Sequence, residues 1–147
     1  MATVDRTATI AAAPEQIWEV LADFGAIGSW VDKIAHSCIL VQGDQPVGTS
    51  RRVQFGRDAL VETIVEFDPP RALAYDIEGL PKMMGRVSNR WTLQAVNAST
   101  VVTVTSTAEI GSGAIQQLAE RAACRVLARE SAAMLTGLAD RLEKSRV

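Results

Sequence analysis

Histidine occurs once in this sequence, at position 36, and cysteine twice, at 38 and 124. A protein-bound metal needs several such ligands at short spacing, and neither cysteine has a partner placed for it. Two distant thiols make no disulfide framework, so reduced thiols and a cytoplasmic location are expected. Positive charge is not in excess: 15 Lys and Arg face 17 Asp and Glu, for a net charge of −2. With a pI of about 5.4, that balance argues against a nucleic acid held through its phosphates. No apolar run approaches the roughly 20 residues of a membrane span, and the N-terminus lacks a basic-then-apolar signal. Nucleophile–base pairs, metal clusters and phosphate-cradling glycine loops are missing too, so no metal or cofactor is expected. What is present is apolar. Hydrophobic residues make up 48% against 22% charged, over 147 residues, enough for one domain (1–147) with a real core.

The organising stretch is the last, from Ser112 to about Lys144, which has no proline and one internal glycine, Gly137. Cys124, Leu127, Ser131, Met134 or Leu135, Leu138 and Leu142 recur at steps of three and four, which puts them on one face of an α-helix. Arg121, Arg125, Arg129 and Asp140 fall on the opposite, solvated face. A second apolar row, Ile115, Leu118, Ala119, Ala122 and Val126, lies on the first half and calls for a second cover, from a loop or a partner such as a second copy of the chain. Ser112, after Gly111, is the candidate N-cap. At 1.5 Å per residue the helix would run about 45 Å.

Ahead of it, Val4 to Ile10 alternates as a half-buried strand, and Pro14 opens a helix carrying Ile17, Trp18, Val20, Leu21 and Phe24. A second short helix or turn ends at Trp30. Strands are expected at 34–41, 49–56, 59–68, 72–78, 86–96 and 100–110. They are divided by turns at Gly43-Asp44, Gly56-Arg57, Pro69-Pro70, Gly79-Leu80-Pro81 and Asn97-Ala98-Ser99, and connections this short favour an antiparallel meander. Period-two parity puts Val61, Thr63, Val65 and Phe67 inward, with Glu62, Glu66 and Asp68 outward. It also turns inward Leu73, Tyr75 and Ile77; Val87, Asn89, Trp91 and Leu93; and Val102, Val104, Ser106, Ala108 and Ile110. Thr63, Tyr75, Asn89 and Ser106 are polar among apolar neighbours, a pattern that suits a cavity holding a ligand or water.

Several segments together resemble the START-like (helix-grip) superfamily. They are Ala13-Pro14-Glu15-Gln16-Ile17-Trp18, Trp30, Val47-Gly48-Thr49-Ser50-Arg51, Glu66-Phe67-Asp68-Pro69-Pro70-Arg71-Ala72-Leu73-Ala74-Tyr75 and Trp91. That superfamily includes the birch pollen allergen, the abscisic-acid receptors and the polyketide cyclase/dehydrase-like proteins, and the similarity is greatest to the last branch. The resemblance implies an α+β fold in which a curved seven-stranded antiparallel sheet grips the C-terminal helix around an apolar pocket. Carried over by position, it implies pocket residues at Val53, Phe55, Thr63, Tyr75, Ile77, Val87, Asn89, Trp91 and Ser106, with Leu127 and Ser131 from the helix. The receptors' pocket lysine matches Asp32, where an anion replaces a cation and argues against an acidic ligand. Their gate loop has no counterpart in Gly56-Arg57-Asp58, and Gly79-Leu80-Pro81-Lys82-Met83-Met84-Gly85 takes its place as a mobile rim.

The candidate residues have plainer readings beside these. His36 stands without a chemical partner, Asp32 suits a turn, and Asn89 and Ser106 equally suit a hydrogen bond across the sheet. Tyr75 is the best single ligand contact, and Arg51 pairs with an outward glutamate. The leading reading is a binding or carrier protein for a small hydrophobic molecule (lipid-, polyketide- or aromatic-like). A polyketide cyclase or dehydratase that positions its substrate with Tyr75, Asn89 and His36 or Asp32 remains open, as does a partner-binding or homodimerising module. If Asn89 serves the pocket, Asn89→Leu is expected to weaken binding and spare the fold.

Overall fold

The structure is a computed structural model that describes residues 2–81, 84–110 and 116–144. The elements run β1 (Ala2–Ile10), α1 (Pro14–Ala22), a 3-10 helix (Phe24–Ser29), β2 (Ile34–Val41), β3 (Ser50–Phe55), β4 (Asp58–Asp68), β5 (Ala72–Glu78), β6 (Arg86–Val96), β7 (Ser99–Glu109) and α2 (Gln116–Lys144). Short turns from β2 to β7 leave each strand beside its predecessor, and β1 closes the far edge against β7. The result is a seven-stranded antiparallel sheet in the order β1-β7-β6-β5-β4-β3-β2. This is the α+β helix-grip architecture: one long helix lies against a curved sheet, with two short helices after the first strand.

Helix α1 starts at Pro14, whose missing N–H costs nothing in a first turn. The Ala13 backbone N–H donates to the Gln16 side chain at 3.0 Å, and Ile17, Trp18 and Leu21 are buried. On α2 the expected stripe is buried at Leu127, Ser131, Leu135, Leu138 and Leu142, while Arg121, Arg125, Arg129 and Asp140 are exposed. The second apolar row is only partly covered among the described residues: Leu118 is 69% exposed and Val126 49%, while Ala119 is half-buried. Ser112 and Ile115, the expected cap and the first member of that row, lie outside the described residues, as do Lys82 and Met83 of the rim.

Helix α2 does not lie midway over the sheet. Its backbone runs nearest β1 and β7, where Ala2 and Ala108 face Ala123 and small side chains permit a close approach. At its other end Gly137 touches the Trp30 carbonyl, a contact that a Cβ would block. The 3-10 helix instead covers β2 and β3. Two apolar clusters result. The large one gathers Ile17, Trp18, Phe24, Trp91 and Leu138, and the small one Ala2, Val87, Ala108, Ala123 and Leu127.

Strand β4 departs from the expected parity. Leu60, Glu62 and Ile64 are buried, while Val61 and Thr63 are half-buried on the other face and Val65 is 48% exposed there. The two-residue turn Gly56-Arg57 pairs Phe55 with Asp58, and directly paired residues point the same way. With Phe55 inward, the even positions of β4 must follow. A bulge between Ile64 and Glu66 then inserts one residue and reverses the phase, so Phe67 again packs inward, edge-on to Trp18 at 5.1 Å between ring centroids. Parity counted backward from Phe67 crosses this bulge and inverts every residue before it. Glu66 does face outward, where both its oxygens take bonds from Arg90 at 2.8 and 3.1 Å; those bonds hold its carboxyl below the ordinary range. Glu62 was expected beside it and is inside instead.

Candidate functional site

Where α2 leans toward β1 and β7 and the 3-10 helix covers β2 and β3, a cavity of about 130 Å³ is left between them over the sheet. Val53, Phe55 and Leu60 line it from β3 and β4, Ile77 and Val87 from β5 and β6, and Ile27, Val31 and Ile34 from the 3-10 helix and its exit. Leu80 and Met84 come from the rim, and Val126, Leu127 and Met134 from α2. Polar atoms enter through Glu62, Asn89, Ser106 and Ser131, with Glu130 completing the polar set. Glu130 is bound to Lys33 at 3.1 Å, an ion pair that ties α2 to the segment after the 3-10 helix.

The polar residues form one continuous chain across the floor. Arg51 and Glu62, directly paired on β3 and β4, are buried together: Arg51 Nε donates to Glu62 Oε1 at 2.7 Å, and Nη1 donates to the Phe24 carbonyl at 2.9 Å. Nη2 also sits 2.7 Å from Oε1 but out of line, making a charge contact and no hydrogen bond. The guanidinium lies over two rings, 3.8 Å from the Phe24 centroid and 4.6 Å from that of Tyr75. The Tyr75 hydroxyl accepts from Asn89 Nδ2 and Trp91 Nε1, each at 3.3 Å. Ser106 donates to Asn89 Oδ1 at 2.7 Å and meets the Ser131 hydroxyl of α2 at 2.9 Å. Burial pushes the Tyr75 hydroxyl above its ordinary range and Glu62 adds to the shift, against Arg51 and the two donated bonds. The phenol therefore stays protonated, and it is not placed to act as a base.

Of the expected pocket residues, Val53, Phe55, Ile77, Val87, Asn89, Ser106, Leu127 and Ser131 line the cavity. Four do not. Thr63 points to the other face of the sheet because of the β4 register. Tyr75 and Trp91, each 1% exposed, do not line the cavity; the Tyr75 hydroxyl takes bonds from both Trp91 and Asn89. Asp32 is exposed, in a groove it shares with Gly137 and Asp140 and away from the cavity. His36 is exposed on the edge strand β2. Sequence reasoning missed Glu62, whose inward placement follows from Phe55 and the two-residue turn once these are read together. It also missed Ile27, Val31 and Ile34, which only the fold-back of the 3-10 helix brings to the site.

A family model described as polyketide cyclase / dehydrase and lipid transport matches residues 1–143. The chain belongs to that family. Solved structures share its fold across nearly all of their length. The Zhui aromatase/cyclase from Streptomyces sp. R1128 is 22% identical, with a TM-score of 0.77 over 99% of this chain and 95% of that one. A START superfamily protein from Mycobacterium smegmatis is 16% identical, with a TM-score of 0.76 over 98% and 99%. Ara h 8.0201 is 17% identical, with a TM-score of 0.68 over 92% and 96%. Among curated proteins none matches. No helix among the described residues is long and apolar enough to cross a membrane.

Proposed function

We propose that this member of the polyketide cyclase / dehydrase and lipid transport family is a binding or carrier protein. Its ligand is a small, mostly apolar molecule held between the sheet and α2. The observation that carries this reading is the cavity itself. Its walls are apolar side chains from several elements with a few polar groups among them, the usual composition of a small-molecule site. Those polar groups are largely engaged with one another, which suits orientation of a ligand better than proton transfer. Native mass spectrometry with organic extraction of the purified protein, beside titration with an apolar fluorescent probe, tests it. One probe should bind per chain, and Val87→Phe, which fills the cavity, should abolish binding. A probe that binds that variant equally well sits elsewhere and overturns the reading.

The fold shared with an aromatase/cyclase supports a second reading, in which the cavity positions a polyketide-like substrate for cyclisation or dehydration. Conversion of such a substrate with a pH optimum that Asn89 and Glu62 variants alter would favour the enzyme. Saturable binding without product favours the carrier.

A further inference from the structure

The donors and acceptors around the cavity narrow the class of ligand, on the reading that the cavity is a binding site. Arg51 donates from Nε to one oxygen of Glu62, Oε1, keeps Nη2 in charge contact with that same oxygen, and donates from Nη1 to the Phe24 carbonyl. Among the described residues no donor is recorded for Glu62 Oε2. Nor is that oxygen sealed in: the side-chain polar atoms both buried and unpartnered are Trp30 Nε1 and Arg51 Nη2. Glu62 is only 6% exposed and forms part of the cavity wall, so Oε2 is open toward the cavity. Farther along, the Ser106 hydroxyl gives its one proton to Asn89 Oδ1, and the proton in its contact with Ser131 must come from Ser131. Ser131 then offers lone pairs alone. Among the described residues the wall is rich in acceptors, and its spare donor is the second amide hydrogen of Asn89.

We propose that the cavity selects a neutral apolar molecule bearing a hydroxyl donor, a phenol above all, and that Glu62 Oε2 is the acceptor that recognises it. A carboxylic acid would bury its anion beside Glu62, and among the described residues the nearby cations are already paired, Arg51 with Glu62 and Lys33 with Glu130 at 3.1 Å. An ammonium gains little, because Arg51 already neutralises Glu62. A phenol is a strong, uncharged donor, and a bond from O–H to a carboxylate is about twice as strong as one between neutral groups. Size agrees: an apolar cavity of about 150 Å³ accepts benzene, and this one holds about 130 Å³. A larger ligand would seat one ring at Glu62 and extend past Leu80 and Val126.

Calorimetric or NMR titration with phenol, its non-hydroxylic isostere toluene, and benzoate at neutral pH tests the proposal. Wild-type protein should prefer phenol to toluene by about tenfold, the effect of one charge-assisted hydrogen bond, and should reject benzoate. Glu62→Gln should shrink the preference for phenol and ease the rejection of benzoate. Because that variant leaves Arg51 buried without its partner, the double variant Arg51→Met/Glu62→Met serves beside it. Apolar replacement of both members of a buried pair is often tolerated. The double variant should bind toluene as well as wild type does and lose the preference for phenol. Equal binding of phenol and toluene by wild type, or a preference for benzoate, overturns the proposal while leaving the cavity a binding site. If none of the three binds, the binding site itself falls.

Discussion

Asn89 donates to the Tyr75 hydroxyl and accepts from Ser106, so its side chain is committed to the sheet before any ligand arrives. Parity alone leads to the expectation that Asn89→Leu spares the fold; the two hydrogen bonds reverse it. The variant should lose about 1–3 kcal/mol, the cost of a buried polar group left without its partner, and should melt several degrees lower. An unchanged melting temperature would mean that Ser106 and Tyr75 find other partners. Tyr75 permits a cleaner measurement, because it is the only tyrosine in the chain. Its folded pKa is raised above the ordinary value of 10.0, chiefly by burial. The unfolded chain thus releases this proton first, and the native state is favoured fully below about pH 10 and progressively less above it. Tyrosinate absorbance should stay flat past that value and then rise together with the loss of circular dichroism. A tyrosinate signal in a protein still folded would show that water reaches the hydroxyl.

At the scale of the elements, α2 keeps a glycine where alanine would favour the helix by about 0.8–1 kcal/mol. The Trp30 carbonyl explains it, since it occupies the space a Cβ at Gly137 would need. Gly137→Ala should therefore lower the melting temperature despite its better propensity, because one of two packed backbones must move. A rise on thermal denaturation would show that the contact yields without cost. Strand β4 teaches a related lesson about register. Apolar content alone puts Val61, Val65 and Phe67 in one row. The bulge between Ile64 and Glu66 means that no single period describes the strand. The information needed was short-range after all: Phe55 inward and a two-residue turn at Gly56-Arg57 oblige Glu62 to face inward with Arg51.

For the whole molecule, the consequence of α2 lying toward β1 and β7 is a cavity that the rim borders. Leu80 and Met84 line that cavity, and the rim is anchored by Gly79 and Gly85 at φ values of +102° and +68°, which side chains rarely adopt. Ligand contact should hold these residues in place. Adding a saturating apolar ligand should slow hydrogen exchange at the Leu80 and Met84 amides; unchanged exchange would make the rim an ordinary hairpin end.

The sequence by itself determined the elements and their order. Strand and helix periods are local properties, and the stripe from Leu127 to Leu142, the turns between strands and the proline at the start of α1 can each be read within a few residues. Its motifs also carried the likeness to the family that the chain belongs to. Only the tertiary structure decided which inward polar groups meet the cavity. Tyr75 and Trp91 point inward as parity requires, yet Asn89 in front and Phe24 with Arg51 beside them shut them away. Only it brought Ile27 and Val31 over the sheet and turned Glu62 into the cavity wall. The physical reason is that a period assigns a side chain to a face. What covers that face depends on distances between elements, which here are set by Ala108 against Ala123 and by Gly137 against Trp30.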